Sequence, residues 1–387
     1  MQKVFGITGG GQLALMLIEA LRKAYKNCRI IIYDREKTGC AHKFADEVII
    51  AEYDNVQELT RFAKLCKDGI TTEFETVPAS AFEIFRNHTK VCPEPNVIRI
   101  GQDRLKEKNM ARNLGIATPL YWNVTEQEIF LWDQEMAGAE SPEPTSFSFP
   151  VILKTRSGGY DGNNTWKVSS LKELKQKWQE IGKLPCIIES IVDFKFELSV
   201  IIGMDSKGHA VAYPAFENKH RSVETPKGKS TLLDTTTFPG PNISKSINER
   251  AQNIAYKIAQ HLKLTGILCI EFFYDAKTDA IIFNEMAPRP HNSGHGTRHT
   301  HTVSQFNMLA TILAEDVVLV PHAVSGGIMT NIIGSEASMY AGSQIEPKLS
   351  VLLYGKEERP GRKMGHQDEP FELPADSISY KIFNQVA

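Results

Sequence analysis

Short apolar runs alternate with stretches in which apolar residues recur every three or four places through roughly the first hundred residues. "KVFGIT" precedes "QLALMLIEALRKAY", "CRIIIYD" and "EVIIAE" precede "VQELTRFAKL", and "ITTEFE" precedes "ASAFEIFRNH". Strands alternating with amphipathic helices predict a parallel, doubly wound sheet, closed at "VCPEPN". A linking helix is expected at "DRLKEKNMARNLGI", with Asp103 as N-cap and Gly115 as its C-terminal stop.

Residues 133–149 have no period and read as an exposed loop. Beyond them "PVILKTRSGGYDGNNTWKV" reads as strand, glycine-rich loop, strand; "SLKELKQKWQEIG" is a helix and "PCIIES" a further strand. From residue 197 the pattern is mainly strand: "ELSVIIGM", "HAVAYPAF" and "ILCIEFFYDAKTDAIIFNEM". The helix "INERAQNIAYKIAQHLKL" interrupts them, and "SQFNMLATILAE" is a late helix. The tail "LYGKEERPGRKMGH" is basic and turn-rich, and no internal repeat is visible.

At 387 residues the chain exceeds one ordinary core and predicts two or three domains. No apolar run approaches the roughly 18 residues that span a bilayer, and "MQKVFGITGGG" lacks a signal pattern. The six cysteines show no CxxC spacing, which argues against a zinc site or disulfide framework and suits the cytoplasm. A net charge of -2 gives no footprint for nucleic acid or membrane.

Two stretches carry candidate chemistry. Gly9-x-Gly11-x-x-Ala14, with Asp34 ending the next strand, matches the dinucleotide-binding fingerprint and raises an NAD-dependent oxidoreductase as one reading. "GILCIEFFYDAKTDAIIFNEM" reads as a hairpin in which Asp275 pairs with Ile281, Phe273 with Phe283 and Glu271 with Glu285. Two carboxylates facing each other at roughly 5 Å repel, and a Mg²⁺ ion with positions open to phosphate would relieve them; solvent-exposed glutamates are the plain alternative. Downstream, Arg289 offers a fork for oxyanions, and His291 and Asn292 add directional donors. A zinc site from His291, His295, His299 and His301 competes, although Pro290, Gly294 and Gly296 argue against the helix that would align them. Lys356, Arg359, Arg362 and Lys363 surround a Pro-Gly turn and could clamp a phosphate.

"NEMAPRPHNSGHGT", "GGYDG", "QDRLKEK", "SQF" and "YGKEERPGRKMGH" together resemble the N5-carboxyaminoimidazole ribonucleotide synthetases, ATP-grasp enzymes of purine synthesis, in the family's order and across nearly the whole chain. The resemblance implies an ATP-grasp fold of mixed α/β and α+β class. Its parts would be an N-terminal doubly wound parallel domain (1–103), a small mobile central domain (104–186) and a larger antiparallel C-terminal domain (187–387). It implies ATP-dependent carboxylation of 5-aminoimidazole ribonucleotide with bicarbonate, Mg²⁺ as cofactor, and a homodimer. Position by position, Arg104 and Lys154 would contact ATP phosphates, under a loop of Gly159, Tyr160, Asp161 and Gly162. Glu189, Ser190, Ile191 and Val192 would hold adenine, with Glu197 on the ribose, His220 nearby, and Glu271 and Glu285 on Mg²⁺ beside Asn284. Arg289, His291 and Asn292 would hold bicarbonate and carboxyphosphate. Gly11, Gln12, Leu13 and Glu73, with Tyr160, Asp161 and the basic tail, would bind the ribonucleotide.

The chain departs from the family's pattern at Asn163 and Asn164, where Lys or Arg and then Gly are usual, at Ala14 and Leu15, and after His220. Asparagine tolerates left-handed backbone angles, so the loop's shape is expected to survive. Another ATP-grasp ligase activating a different carboxylate, and a non-catalytic nucleotide-binding protein, are the remaining alternatives.

Overall fold

The computed structural model describes residues 2–137, 147–159, 164–225, 228–340, 349–373 and 380–383. The first unit has five strands, β1 (Val4–Thr8), β2 (Arg29–Asp34), β3 (Glu47–Ile50), β4 (Gly69–Thr72) and β5 (Val91–Cys92). They run parallel in the order β3-β2-β1-β4-β5, as the alternating pattern predicts. Its helices are α1 (Gln12–Ala24), α2 (Val56–Leu65), α3 (Ala79–Arg86) and α4 (Pro95–Gly101). The last is a departure from the sequence reading, which ends the unit at "VCPEPN". Pro95 instead opens α4, where a missing N–H costs nothing. The linking helix α5 (Arg104–Asn113) begins as expected, with Asp103 accepting from Leu105 N at 3.0 Å and Lys106 N at 3.4 Å. Gly115 follows it in a left-handed conformation, φ +68°.

The second unit comprises β6 (Tyr121–Val124), α6 (Glu126–Ala137), β7 (Val151–Thr155), β8 (Thr165–Val168), α7 (Leu171–Glu180) and β9 (Cys186–Ser190). Its antiparallel sheet has the order β6-β9-β7-β8. The stretch read as an exposed loop, 133–149, is helical up to Ala137 and buries Phe147, which touches Trp122, Trp132 and Phe149 with ring centroids 5.0, 5.0 and 5.3 Å apart. An aromatic residue near the end of a polar stretch anchors it because ring burial outweighs the local composition. Positions 138–146 lie outside the described residues. This unit has its own core, with Val151, Leu153, Leu174, Trp178 and Ile188 at its centre.

The third unit is built on β10 (Phe196–Met204), β11 (Ala210–Ala212), β12 (Phe216–Thr225), β13 (Gly228–Phe238), β14 (Gly266–Asp275), β15 (Ala280–Ala287), β16 (Gly326–Ile333), β17 (Ser350–Leu353), β18 (Lys363–Phe371) and β19 (Lys381–Phe383). The main path is β15-β14-β10-β12-β13-β16-β18-β17 and is antiparallel throughout. Helices α8 (Lys245–Leu262), α9 (Thr297–Thr300) and α10 (Gln305–Glu315) pack around it. Leu13, Leu17 and Leu21 of α1 share one core with Phe306, Leu309, Ile312 and Leu313 of α10 and with Ile201 and Ile267 of the large sheet. The first and third units are thereby joined through apolar packing, and Lys90 Nζ reinforces the joint by donating to Ile312 O at 2.5 Å.

His301 sits in this sheet's apolar wall, its ring centroid 4.5 Å from that of Phe238 and 5.4 Å from that of Tyr213. Burial lowers its pKa to about 3, whereas an unfolded histidine titrates near 6.5. Below that value the unfolded chain takes up a proton that the folded one refuses. Stability therefore falls as pH drops from about 6.5 towards 3, by at most about 1.4 kcal/mol per pH unit from this residue. His301→Phe should flatten that part of a plot of thermal midpoint against pH between 7 and 4, and an unchanged slope would disprove the assignment.

Candidate active site

The glycine turn lies at the carboxyl end of β1, with Gly9 at φ +90°. Above it Glu73, buried just after β4, accepts from Gly11 N at 2.7 Å, Leu13 N at 3.1 Å and Ala14 N at 3.3 Å. The carboxylate thus satisfies amides at the start of α1 that otherwise have no intrahelical partner. Gly11 is required by this approach, since a Cβ there would lie 2.6 Å from Glu73 Oε1. A dinucleotide's diphosphate would need the same helix end, whose amides the Glu73 carboxyl group already occupies, so the geometry overturns the NAD reading. Asp34, which that reading assigned to ribose, instead pairs with His42 Nε2 at 3.0 Å. Lys356 crosses from the tail to hydrogen-bond Gln12, so the turn and the basic tail meet. Arg362 Nη1 donates to Glu357 O at 3.0 Å, whereas Arg359 is exposed and paired with Glu357 at 2.6 Å.

The second group forms where α5, the second sheet and the β14–β15 hairpin meet. Lys154 on β7 lies 2.8 Å from Glu189 Oε2, and Lys108 on α5 lies 3.4 Å from Glu189 Oε1. Burial raises the pKa of Glu189, but Lys108 and then Lys154 more than offset it and hold the carboxyl at about 2. Arg104 reaches Thr155 O at 3.2 Å and Glu285 Oε2 at 3.5 Å, and packs so closely on Gly159 that a Cβ there would lie 2.3 Å from Nη1. Ser190 ends β9 and accepts from Leu120 N at 3.0 Å; beyond it Ile191 is exposed and Val192 half-buried. Glu197 and His220 are paired across β10 and β12. Desolvation lowers the His220 pKa, but the hydrogen bond and charge of Glu197 and then the charge of Glu271 leave it raised.

Glu271 and Glu285 are opposite one another on β14 and β15, but the register differs from the expected one. Asp275 pairs with Ala280 and Phe272 with Phe283, one residue off the predicted pairing, and a bulge between Phe272 and Glu271 restores it at the two acids. Asn284 is the extra residue. Its backbone oxygen accepts from Lys108 Nζ at 2.6 Å, while its side-chain Oδ1 is buried and has no hydrogen-bond partner among the described residues. Burial, then the charge of Glu285, raises the Glu271 pKa to about 8. Two carboxylates and one amide oxygen form the oxygen-only donor set that suits Mg²⁺. No group of three or more His, Cys, Asp or Glu that could hold a metal occurs among the described residues.

Beside the hairpin, Arg289 Nη2 pairs with Glu75 Oε1 at 2.5 Å and Nη1 donates to Pro290 O at 2.8 Å, while Nε is buried with no partner among the described residues. His291 Nδ1 lies 2.9 Å from Ser293 Oγ, and Nε2 lies 3.2 Å from Glu271 Oε1. The Asn292 carboxamide exchanges two hydrogen bonds with that of Asn331, at 3.0 and 2.9 Å. Its side chain is therefore engaged in holding the loop. The zinc reading does not survive: His299 faces Asp368 at 3.4 Å, His301 is among aromatic rings, and His295 is buried against His366 and Phe306.

The ATP-grasp domain family matches residues 109–306, the ribonucleotide synthetase preATP-grasp domain 1–102, and the phosphoribosylaminoimidazole carboxylase C-terminal domain 327–367. The N5-carboxyaminoimidazole ribonucleotide synthase of Brucella melitensis is 34% identical over 366 residues, 93% of this chain and 94% of that protein. The chain belongs to the N5-carboxyaminoimidazole ribonucleotide synthase family. Among solved members, the Staphylococcus aureus N5-carboxyaminoimidazole synthetase complexed with ADP is 27% identical with a TM-score of 0.81, covering 97% of this chain and 95% of that one. The Aspergillus clavatus synthase in complex with ADP and 5-aminoimidazole ribonucleotide is 25% identical with a TM-score of 0.80, covering 95% and 94%.

The sequence reading assigns no role to Glu75, Lys108, Glu107 or Asn331, although Glu107 and Lys108 fall within "QDRLKEK". Glu107 is buried and accepts from Met286 N at 3.1 Å, so α5 grips both sides of the bulge. A charged pair on a linking helix is most simply read as a solvated face, and no local pattern distinguishes the two. At the family's altered loop, Asn164 adopts φ +58°, an angle asparagine tolerates, and donates to Gly158 O at 3.2 Å. Tyr160, Asp161, Gly162 and Asn163 lie outside the described residues.

Proposed function

We propose that this chain carboxylates 5-aminoimidazole ribonucleotide at the expense of ATP, with bicarbonate as the carbon source, in purine synthesis. The observation that carries the reading is the Glu271–Glu285 pair across the β-bulge, set beside Arg289 and His291, in a chain of this family. A bicarbonate oxygen attacks the γ-phosphorus, ADP leaves, and carboxyphosphate forms. The ribonucleotide's amine then forms the N–C bond, the C–O bond to phosphate breaks, and phosphate departs with the amine's proton. Arg104 and Lys154 take the ATP phosphates, Glu189 to Val192 the adenine, and Glu197 with His220 the ribose side. When bound at Glu271 and Glu285 beside Asn284, Mg²⁺ neutralises phosphate charge during transfer. Arg289 and His291 hold the oxyanion, with Asn292 keeping their loop in place. Gly11, Gln12, Leu13 and Glu73 line the ribonucleotide crevice, and Lys356, Arg362 and Lys363 take its phosphate; Arg359 sits at the crevice rim.

The same reading divides the chain at 1–103, 104–186 and 187–387, and the separate core of the second sheet supports a small domain that moves as a unit. It also takes the chain to be a cytoplasmic homodimer. The six unbridged cysteines suit that compartment, and among the described residues no helix is long and apolar enough to cross a membrane.

The test is ADP release from Mg-ATP and bicarbonate with and without the ribonucleotide. ADP release that depends on the ribonucleotide is expected, and ATP binding without it would reject the reading. Lys356→Met should raise the KM for the ribonucleotide by about 10-fold or more, the loss of one charged hydrogen bond. A rise in the KM for ATP instead would move the tail to the other substrate.

A further inference from the structure

Gln305 is the first residue of α10 and is fully buried. Its Oε1 accepts from His291 N at 2.8 Å and its Nε2 donates to His291 O at 2.7 Å. One carboxamide thus pairs with both backbone groups of a single residue, as a neighbouring strand would. Gln305 N donates to Thr297 Oγ1 at 3.1 Å, and that hydroxyl donates to Gly294 O at 2.6 Å, so the clamp is tied to the far end of the same loop. Gly294 is held to glycine by the contact, because a Cβ would lie 2.7 Å from Gln305 Cδ and 2.3 Å from Ile201 Cδ1. At its other end α10 is fixed to the first unit by Lys90 and by packing on α1.

We propose that Gln305 is a positioning residue for carboxylation. It fixes the His291 peptide from α10, and so aims the imidazole at Glu271 and sets Arg289 two residues earlier. The inference rests on the reading that this loop holds bicarbonate. Glutamine is needed because the site calls for one donor and one acceptor out of water. Glutamate would set an acceptor oxygen against the His291 carbonyl in place of the amide donor, and methionine would leave the His291 N–H unpaired and its carbonyl with only the bond from Gly294 N.

The experiment compares Gln305→Met and Gln305→Glu with Gln252→Met. Gln252 is an equally buried glutamine whose Nε2 bonds Ala212 O and Tyr213 O, both at 3.2 Å. Thermal midpoint, KM for ATP, kcat, and carboxylated product per ADP are measured for each. Gln305→Met should lose about 10- to 100-fold in kcat, form less product per ADP, and keep the KM for ATP within about threefold, since a misplaced reacting group costs rate rather than nucleotide binding. Gln305→Glu keeps the bond from His291 N and the side chain's volume, and covers the case in which the methionine variant fails to fold; it should show the same loss of product per ADP. Gln252→Met should lower the midpoint while keeping kcat and that ratio. Equal kcat losses in the Gln305 and Gln252 variants, or an unchanged product-to-ADP ratio in both Gln305 variants, would overturn the proposal. A wild-type protein without ribonucleotide-dependent ADP release would instead bring down the proposed function, and this inference with it.

Discussion

Arg289→Ala is expected to lower the rate of carboxylation by about 10²- to 10³-fold while ADP affinity stays within about threefold, the pattern of a lost transition-state charge partner. The guanidinium is held on two sides, by Glu75 at 2.5 Å and Pro290 O at 2.8 Å, and its buried Nε has no partner among the described residues. Those contacts fix the plane of the fork in advance. In the proposed reaction charge accumulates on bicarbonate and then on departing phosphate, and a cation already oriented there would stabilise it without reorganisation. Arg289→Lys should recover part of the rate, because it keeps the charge and loses the planar fork. Steady-state kinetics with ADP binding measured separately gives the answer. Glu75→Gln is the needed control, since alanine at 289 also strips Glu75 of its cation. If Arg289→Ala turned over normally, Arg289 would have no part in the reaction.

The sequence revealed what is local or periodic. The parallel sheet follows from alternating strand and helix patterns, and Asp103 from capping chemistry. The pairing of Glu271 with Glu285 was reached by a register that fails at the turn and is repaired by a bulge at Asn284. A one-residue bulge leaves no mark in an apolar pattern. Strands β12, β13 and β18 went unseen because much of each is polar, so the alternation that identifies a strand is blurred. Long-range polar contacts were hidden altogether. Nothing in the order of residues tells that Glu73 caps α1, that Glu75 grips Arg289, or that Asn331 engages the side chain of Asn292. The candidate site was thus legible as residue types but not as assignments of partners. That is why the fingerprint at Gly9 and Gly11 reads as a dinucleotide turn until the carboxylate above it is known.

Glu271→Gln should leave the protein more stable without metal and nearly inactive, about 10³-fold down in ADP formation, the scale of losing charge stabilisation in phosphoryl transfer. Burial, then the charge of Glu285, raises its pKa to about 8, far above the roughly 4.3 of an unfolded glutamate. Stability associated with this group is therefore fully present below about 4.3 and is lost as pH rises towards 8. Glutamine removes that cost while keeping the shape, so the metal-free thermal midpoint at pH 8 should rise. A divalent cation reverses the balance in the unmutated protein, because it needs the deprotonated carboxylate. Stabilisation by Mg²⁺ with ADP should accordingly grow between pH 6.5 and 8.5 in the wild type and be small and flat in the variant. The midpoint measured with and without Mg²⁺ across that range separates the two states. A Glu271→Gln protein that Mg²⁺ stabilises as strongly as wild type would mean that the facing carboxylates serve some purpose other than holding the metal.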